Sequence, residues 1–212
     1  LVYKDQKGIF VLGAVAEVMQ KMDDSLVTLG TIMGSRYVAA IRERVEDYQK
    51  KLVLLQETLE EWLVCQRNWM YLENIFAAPD IQRQLPAETG KFEKVDKSWK
   101  GIMRVVNTNP NCITTGTHKG RKELFAKHNA TLDEIQKKLE EYLETKRASF
   151  PRFYFLSNDE LLEILAQTKD PRAVQPYLRK CFDNLVRLEF KGSGILDIRK
   201  MFSGEGEEVP LG

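Results

Sequence analysis

The sequence predicts a mainly α-helical protein, an elongated rod of antiparallel helical bundles with one very long helix and a small C-terminal β-hairpin. The first observation behind this prediction is that residues 36–76 contain no Gly or Pro and repeat apolar side chains in alternating steps of four and three. The second is that apolar residues at helical spacing fill most of the remaining chain, whereas strand-like composition is concentrated in residues 186–191 and 195–202.

The domain organisation is predicted to be simple. The chain of 212 residues has no internal repeat and no low-complexity linker, so residues 1–212 form a single continuous segment. Within this segment, residues 1–106 contain the long helix, the helix that pairs with it from the N-terminal side, and the helices that follow the long helix. Residues 107–212 are assigned to a second helical bundle with the C-terminal hairpin.

The first helix is predicted in residues 8–28, where apolar side chains recur at helical spacing opposite a polar face. Gly30 and Gly34 then break the pattern. We therefore expect an antiparallel helix pair whose second member is the long helix.

The long helix of residues 36–76 would be roughly 60 Å long at 1.5 Å per residue. In the first half of the helix, the positions on either side of the apolar stripe are polar. In the second half these neighbouring positions become apolar, while the stripe itself contains the polar residues Gln66 and Glu73 before it ends at Phe76. This change indicates a helix that passes from a half-exposed setting into a bundle with neighbours on several sides. An ordinary amphipathic helix or a homodimeric coiled coil is the alternative.

Gln66 and Glu73 are also the basis of a mechanical hypothesis. Polar groups on an apolar seam weaken its packing and can make two packings nearly equal in free energy, so we expect the helix to flex at or just before Gln66. The alternative is that both side chains reach solvent or a partner and that the helix is rigid throughout.

Three tryptophans, Trp62, Trp69 and Trp99, fall on apolar helix faces. We expect all three to be largely buried, as core residues rather than as a platform on which a ligand stacks.

The middle of the chain is predicted as two further long helices. Pro79 can open a short helical turn that Pro86 closes, and residues 91–106 are then helical. Residues 107–120, rich in Asn, Thr and Gly, are predicted as a loop, and residues 121–148 as the next helix.

Residues 152–156 combine aromatic and apolar side chains without helical spacing, which predicts an extended segment or a tight connector. Ser157 and Glu160 then match a capping box, in which each side chain bonds the backbone N–H of the other residue. We expect Phe153 and Phe155 to hold the start of the helix that follows.

The last part of the chain contains a second cap and a hairpin. Asp170 and Pro171 can serve as N-cap and first helical residue, while Pro176 restarts or kinks that helix. Residues 191–194 are predicted as the hairpin turn between the two strand-like segments.

Composition excludes several classes of function. The 32 Lys and Arg residues nearly balance 31 Asp and Glu residues without a basic block, which argues against nucleic-acid binding. No apolar run approaches the ~18 residues needed to cross a bilayer, and no signal peptide is recognisable. Three widely spaced cysteines allow neither a disulfide framework nor a CxxC zinc site, which indicates a reducing compartment. Because the chain begins with Leu1 rather than Met, we expect a piece of a longer polypeptide.

Catalytic chemistry finds little support in the residues. Cys112 and His118 share a loop but lack a third orienting group, and Gly116, Gly120 and Lys122 miss the spacing of a phosphate-binding loop. The sequence therefore predicts no catalytic, cofactor-binding or metal-binding residues.

Five stretches carry a family signal, the last of them the most specific: QRNWMYLENIF at 66–76, DIQRQLP at 80–86, FEKVD at 92–96, YLETKR at 142–147 and FPRFYFLSNDELLEIL at 150–165. With these stretches the chain resembles the linker region of a dynein heavy chain, most like an axonemal one.

The resemblance implies a mechanical element that bends and straightens over the AAA+ ring of the same heavy chain. It implies that ATP and Mg²⁺ are bound in that ring, that microtubules are an indirect partner, and that this chain binds no cofactor, nucleic acid or membrane. The expected location is cytoplasmic and cytoskeletal, in the axoneme of a cilium or flagellum.

Two alternatives to a mechanical linker remain open. The first is a coiled-coil or helical scaffold that self-associates along residues 36–76. The second is an enzyme that uses the loop of Cys112 and His118.

Overall fold

The computed structural model describes residues 2–4, 8–167, 170–192 and 197–211, with residues 2–4 described by their backbone alone. The helices are α1 (Val15–Met33), α2 (Arg42–Phe76), α3 (Pro79–Gln84), α4 (Pro86–Thr108), α5 (Cys112–Gly116), α6 (Arg121–Ser149), α7 (Asn158–Leu165) and α8 (Leu178–Cys181). The strands are β1 (Val2–Lys4), β2 (Ile9–Val11), β3 (Leu185–Lys191), β4 (Asp197–Ser203) and β5 (Glu208–Pro210). These elements confirm a mainly helical fold with one very long helix and a small antiparallel C-terminal sheet.

The chain divides into two compact units built from separate stretches. One unit consists of Leu1–Glu73 with Gly90–Glu134, and the other of Asn74–Thr89 with Ile135–Gly212. This division differs from the one at residue 106 that the sequence suggests, and the latter stays a prediction about domain organisation.

The N-terminus corrects the prediction of a helix over residues 8–28. β1 and β2 form an antiparallel pair in which Val2 faces Val11, and α1 begins only at Val15. The three-residue strand β2 consists of Ile, Phe and Val, which favour strands, yet Ile9 also fits a helical spacing and so misled the periodicity argument. At the other end, α1 continues through Gly30 and ends at Met33, with Gly34 as its C-cap residue.

The long helix α2 contains 35 residues, which corresponds to about 52 Å. Its predicted start at residue 36 is six residues too early, because Val38–Ala40 forms a 3-10 helix instead. The predicted change of character along the helix is confirmed. Up to Glu60 mainly one face is covered, whereas Arg67 and Asn74 are the exposed residues of positions 61–76.

The connection between α3 and α4 corrects the predicted role of Pro86. Pro86 does not merely close α3 but is the first residue of α4, a position where its missing N–H has no helical partner to lose. α4 therefore starts five residues before the predicted position 91.

The predicted loop of residues 107–120 contains the short helix α5. The Asn111 side chain caps it by accepting a hydrogen bond from the Thr114 backbone N–H at 2.9 Å. α5 approaches α2 closely, because a Cβ added to Gly116 would lie 2.1 Å from Leu55 Cδ1. α6 then runs one residue past the predicted end at position 148.

The connector after α6 is a 3-10 helix, Pro151–Phe155, which agrees with the predicted tight connector. The capping box of α7 is confirmed: Glu160 N donates to Ser157 Oγ at 3.3 Å, and Ser157 N donates to Glu160 Oε2 at 3.0 Å. Phe153 packs edge to face on Phe150 with ring centroids 4.9 Å apart.

The expectation that Phe155 holds this junction is wrong, because 68% of Phe155 is exposed. Leu156 is the buried residue instead. Arg147 fixes the same point from α6, since it donates to the Leu156 carbonyl at 3.1 Å and to Asn158 Oδ1 at 2.8 Å. The apolar periodicity of the sequence carries no sign of this polar contact between α6 and the start of α7.

Asp170 caps the next helical segment as predicted, by accepting from the Arg172 backbone N–H at 3.1 Å. The segment Pro171–Tyr177 is a 3-10 helix with Pro176 inside it, and α8 follows directly.

The C-terminal sheet has the strand order β3-β4-β5, with all pairs antiparallel. The sequence predicted the first two strands but missed β5, a short strand that contains Pro210. The turn predicted at residues 191–194 falls partly outside the described residues. At the outer edge of β3 the Gln175 side chain bonds both backbone groups of Leu188, at 2.6 Å to the carbonyl and 3.0 Å from the N–H.

Candidate functional site

Three helices of the first unit meet at a cluster of aromatic side chains, which we call the aromatic core: Trp62 and Trp69 from α2, Trp99 from α4 and Phe125 from α6. The prediction that the three tryptophans are buried is confirmed, with 2%, 0% and 0% of their surfaces exposed. Trp69 and Trp99 stack with centroids 5.2 Å apart, and Trp62 and Phe125 stack at 4.7 Å. Trp99 and Phe125, at 6.1 Å, join the two pairs.

Phe125 is the member of the aromatic core that sequence reasoning missed. The sequence predicted the helix over residues 121–148 without assigning Phe125 to its buried face; the neighbouring Leu124 is only half-buried, whereas Phe125 is fully buried. The signal was available, because Phe125 stands seven residues before the buried Leu132 and Leu132 stands seven before the buried Leu139.

Among the described contacts of the aromatic core, Trp69 is the tryptophan whose indole N–H is hydrogen-bonded, whereas those of Trp62 and Trp99 are buried without a partner. Trp69 Nε1 donates to Asp96 Oδ1 at 3.1 Å, and Lys100 neutralises the same carboxylate at 2.9 Å. His128 lies beside Phe125 and its Nε2 is 2.8 Å from Ser98 Oγ. Burial, and secondarily the charge of Lys127, lowers the pKa of His128, so its ring is neutral at pH 7.

A second polar group lies where α6 crosses Trp62. Asn129 Nδ2 donates to the Glu61 carbonyl at 3.0 Å and to Glu61 Oε2 at 2.7 Å. The Arg121 guanidinium lies 5.7 Å from the Trp62 ring centroid, and burial lowers the pKa of Arg121. Burial, and secondarily the negative charge of Glu61, raises the pKa of the Cys65 thiol to about 12, which leaves this thiol protonated and unreactive near neutral pH.

Gln66 has a backbone partner, which favours the alternative in which its side chain reaches a partner. Leu12 N donates to Gln66 Oε1 at 2.7 Å, and Gln66 Nε2 donates to the Leu12 carbonyl at 2.9 Å. The Gln66 amide is therefore hydrogen-bonded rather than unpaired on the apolar seam, and flexing of the helix at Gln66 stays a prediction. Glu73 and Phe76 lie further along α2, where Glu73 is half-buried and Phe76 is buried.

The residues considered for catalysis are placed as follows. Cys112 is exposed at the first position of α5, and His118 Nδ1 lies 3.0 Å from the carbonyl of its neighbour Lys119. In the part of the chain that the structure describes, no group of three or more His, Cys, Asp or Glu side chains is arranged to hold a metal ion. None of the described helices has the length and apolar character to cross a membrane.

Comparison with known proteins gives one consistent result. The family model for the dynein heavy chain N-terminal region 2 matches residues 1–212. The human protein dynein axonemal heavy chain 6 is 54% identical over 229 aligned residues, which cover 100% of this chain and 6% of that protein. Dynein axonemal heavy chain 1 of Rattus norvegicus is 48% identical, with 95% of this chain and 4% of that protein covered. Dynein axonemal heavy chain 2 of Mus musculus is 46% identical, with 98% of this chain and 5% of that protein covered. The chain thus spans about a twentieth of the length of these relatives.

Proposed function

Since the chain belongs to the dynein heavy chain family, as part of the N-terminal region 2, we propose that it is a mechanical linker element of a microtubule motor. In this role it bends and straightens over the AAA+ ring of the same heavy chain and so produces the power stroke. ATP and Mg²⁺ are bound by the ring, outside this chain, and the chain itself contributes stiffness rather than a catalytic group. The place of action is the axoneme of a cilium or flagellum, and the microtubule is an indirect partner.

The observation that carries this proposal is the construction of α2. A continuous helix of 35 residues transmits force along its axis without a break in its backbone hydrogen bonds. Its second half is held in the first unit by Trp62 and Trp69, which are packed against α4 and α6. Its first half is covered mainly on one face. Bending stress concentrates where this support begins, so we place the flexible part of α2 before Trp62 rather than at Gln66.

The test compares two double variants of the parent heavy chain that differ in helix stiffness alone. Arg44 and Lys50 are exposed positions in the first half of α2. Replacing both with Gly costs about 1 kcal/mol of helix stability per site relative to Ala, without touching the aromatic core. We expect Arg44→Gly with Lys50→Gly to slow microtubule gliding while basal ATP hydrolysis is retained.

The matched control is Arg44→Ala with Lys50→Ala, which removes the same side chains but keeps a strong helix former at each site. Its gliding velocity should equal that of the unmodified motor. Equal velocities for the Gly and Ala variants, both correctly folded, would rule out a mechanical role for this half of α2.

A helical scaffold that self-associates along α2 is the second candidate, and one observation favours it. Tyr48 and Val53, together with Ile41 directly before α2, are exposed apolar residues in or beside the first half of the helix. Sedimentation separates the candidates, because the linker proposal expects a monomeric chain and the scaffold a dimer. A dimer that dissociates on Tyr48→Glu would replace the linker proposal by the scaffold.

A further inference from the structure

The helix α1 is held more loosely than any helix of the aromatic core. Among its 19 residues Met22 is the buried one, and Val27 is 71% exposed. The side-chain hydrogen bond described between α1 and α2 is a long one, 3.4 Å from Gln56 Nε2 to Asp23 Oδ1. A helix with so little buried surface opens at a small free-energy cost.

The segments on either side of α1 are, by contrast, firmly attached. Before it, Ile9 and Val11 of β2 are buried, and after it the buried Val38 lies in the 3-10 helix that precedes α2. α1 is therefore a loosely held helix between two anchored ends, which is the arrangement of a strap.

Gln66 holds the end that precedes α1 by hydrogen bonds to the Leu12 backbone. Its amide group supplies one acceptor and one donor, and both are used by a single residue, Leu12, at 2.7 and 2.9 Å. A neighbouring β-strand would engage Leu12 in the same manner. Gln66 thus holds the backbone at the residue that follows β2, shortly before the chain turns into α1.

The backbone is strained at that turning point. Ala14, the N-cap residue of α1, has φ 52° and ψ 34°, a left-handed conformation that is unfavourable for an L-residue other than glycine. The strain lies between the anchored β2 and the loosely held α1, where a release of α1 lets Ala14 relax. Local strain of this kind persists only while its surroundings hold it.

We propose that α1 is a strap that opens from α2 while β2 stays attached, and that Gln66 is the latch that sets how often it opens. Opening exposes the Met22 side of α1 and relaxes Ala14. The proposal stands apart from the motor cycle, because its readout is local opening of the 212-residue chain itself.

Residue-resolved amide hydrogen exchange of this chain, followed by NMR, tests the proposal. In the unmodified chain we expect the amides of α1 to exchange at least ten times faster than the amides of α6 next to Phe125. The Leu12 amide should be protected, because its hydrogen-bond acceptor is the Gln66 side chain. Gln66→Ala should accelerate exchange of Leu12 and of α1 about tenfold and leave exchange in α6 unchanged.

Gln56→Ala is the matched control, since it removes a glutamine of the same helix that makes only the long bond to Asp23. It should change exchange in α1 less than twofold. Gln66→Glu provides the second variant: its carboxylate accepts from Leu12 N–H but cannot donate to the Leu12 carbonyl at pH 7, so exchange should be intermediate. Tryptophan fluorescence establishes that each variant keeps the aromatic core.

Three results would overturn the proposal. One is equal exchange in α1 and α6 of the unmodified chain. Another is a Gln66→Ala chain that keeps the aromatic core and whose α1 exchanges as before. The last is a uniform acceleration across α1 and α6, in Gln66→Ala or in Gln66→Glu, which would show that Gln66 supports the whole unit rather than a strap.

Discussion

Trp69 combines two kinds of interaction in one side chain, since it stacks on Trp99 and donates a hydrogen bond to Asp96. Truncation to Ala removes both and leaves a cavity in a fully buried position, so Trp69→Ala should lower the free energy of unfolding by ~3–5 kcal/mol. Urea denaturation measures the change. Tyr37→Ala, at an exposed position, is the control and should stay within about 0.5 kcal/mol of the unmodified chain. A Trp69→Ala midpoint that does not move would show that the aromatic core is not a packed core.

Ser157 is the residue on which the start of α7 depends. Ser157→Ala removes the acceptor for the Glu160 backbone N–H and should cost about 1 kcal/mol of stability. The control is Ser25→Ala, because the Ser25 hydroxyl only bonds the carbonyl of Lys21 within α1. If both variants unfold at the same urea concentration as the unmodified chain, the cap does not stabilise α7 in solution.

The three cysteines should differ in reactivity. Burial raises the pKa of Cys65 to about 12, with a further rise from Glu61, and burial is also the main cause of the raised pKa of Cys181. Because the thiolate is the reactive form, both should resist alkylation near pH 8, where the exposed Cys112 reacts. Mass spectrometry after a timed iodoacetamide treatment gives the three rates. Comparable rates at Cys65 and Cys112 in the folded chain would contradict the burial of Cys65.

For single residues, the sequence could predict which face of a helix is buried but not which groups a side chain contacts. The tryptophans were found because periodicity shows which side of a helix is covered. The partner of Gln66 was not predicted because it is the backbone of Leu12, 54 residues away, and a one-dimensional pattern carries no information on such contacts. The prediction for Phe155 failed for a related reason. The apolar character of Phe155 suggested burial, whereas the tight 3-10 helix directs this side chain to solvent and Leu156 is buried instead.

At the scale of elements, the close approach of α5 and α2 leads to a prediction. Leu55 is almost fully buried and has little room to move, so Gly116→Ala places a methyl group against it. Overpacking of this kind should lower the free energy of unfolding of Gly116→Ala by ~1–3 kcal/mol. Gly101→Ala is the matched control, because that glycine lies in α4 with no atom within 4 Å of an added Cβ. The Gly101→Ala control should raise the free energy of unfolding by about 0.5–1 kcal/mol, since Ala stabilises a helix more than Gly does.

Thermal unfolding of the two glycine variants should therefore shift the midpoint in opposite directions. A Gly116→Ala chain as stable as the Gly101→Ala chain would mean that α5 and α2 do not touch in solution.

The elements that the sequence predicted well are those with a long, uninterrupted signal. α2 and α6 contain 35 and 29 residues, so their apolar periodicity outweighs local ambiguity. β2, β5 and α5 contain only three to five residues each, and a period cannot be recognised in so short a stretch. Asn111 was the available clue to α5, because an Asn at a helix start serves as an N-cap as readily as it serves in a loop.

At the scale of the whole molecule, the residues alone indicated a helical scaffold with balanced charge, and the mechanical role rests on the family. In the proposed role the chain acts through stiffness, which needs no arrangement of acids, bases or ligands, so that role predicts no chemical motif in the sequence. What the structure adds is which parts of the first unit are closely packed and which are exposed: the aromatic core around Trp62 and Trp69 is closely packed, whereas α1 and the first half of α2 are largely exposed.

The hydrogen bonds of Gln175 have a consequence for the behaviour of many copies of the chain together. An outer strand with free N–H and C=O groups is a template on which a strand of another molecule can add, which is the first step of fibrous aggregation. Gln175 occupies both groups of Leu188 on one outer strand of the C-terminal sheet, and the other outer strand, β5, is short and contains Pro210, which has no N–H to offer. Each outer strand of the sheet therefore carries a feature that hinders the addition of a further strand, the Gln175 side chain at the middle of β3 and Pro210 at the end of β5.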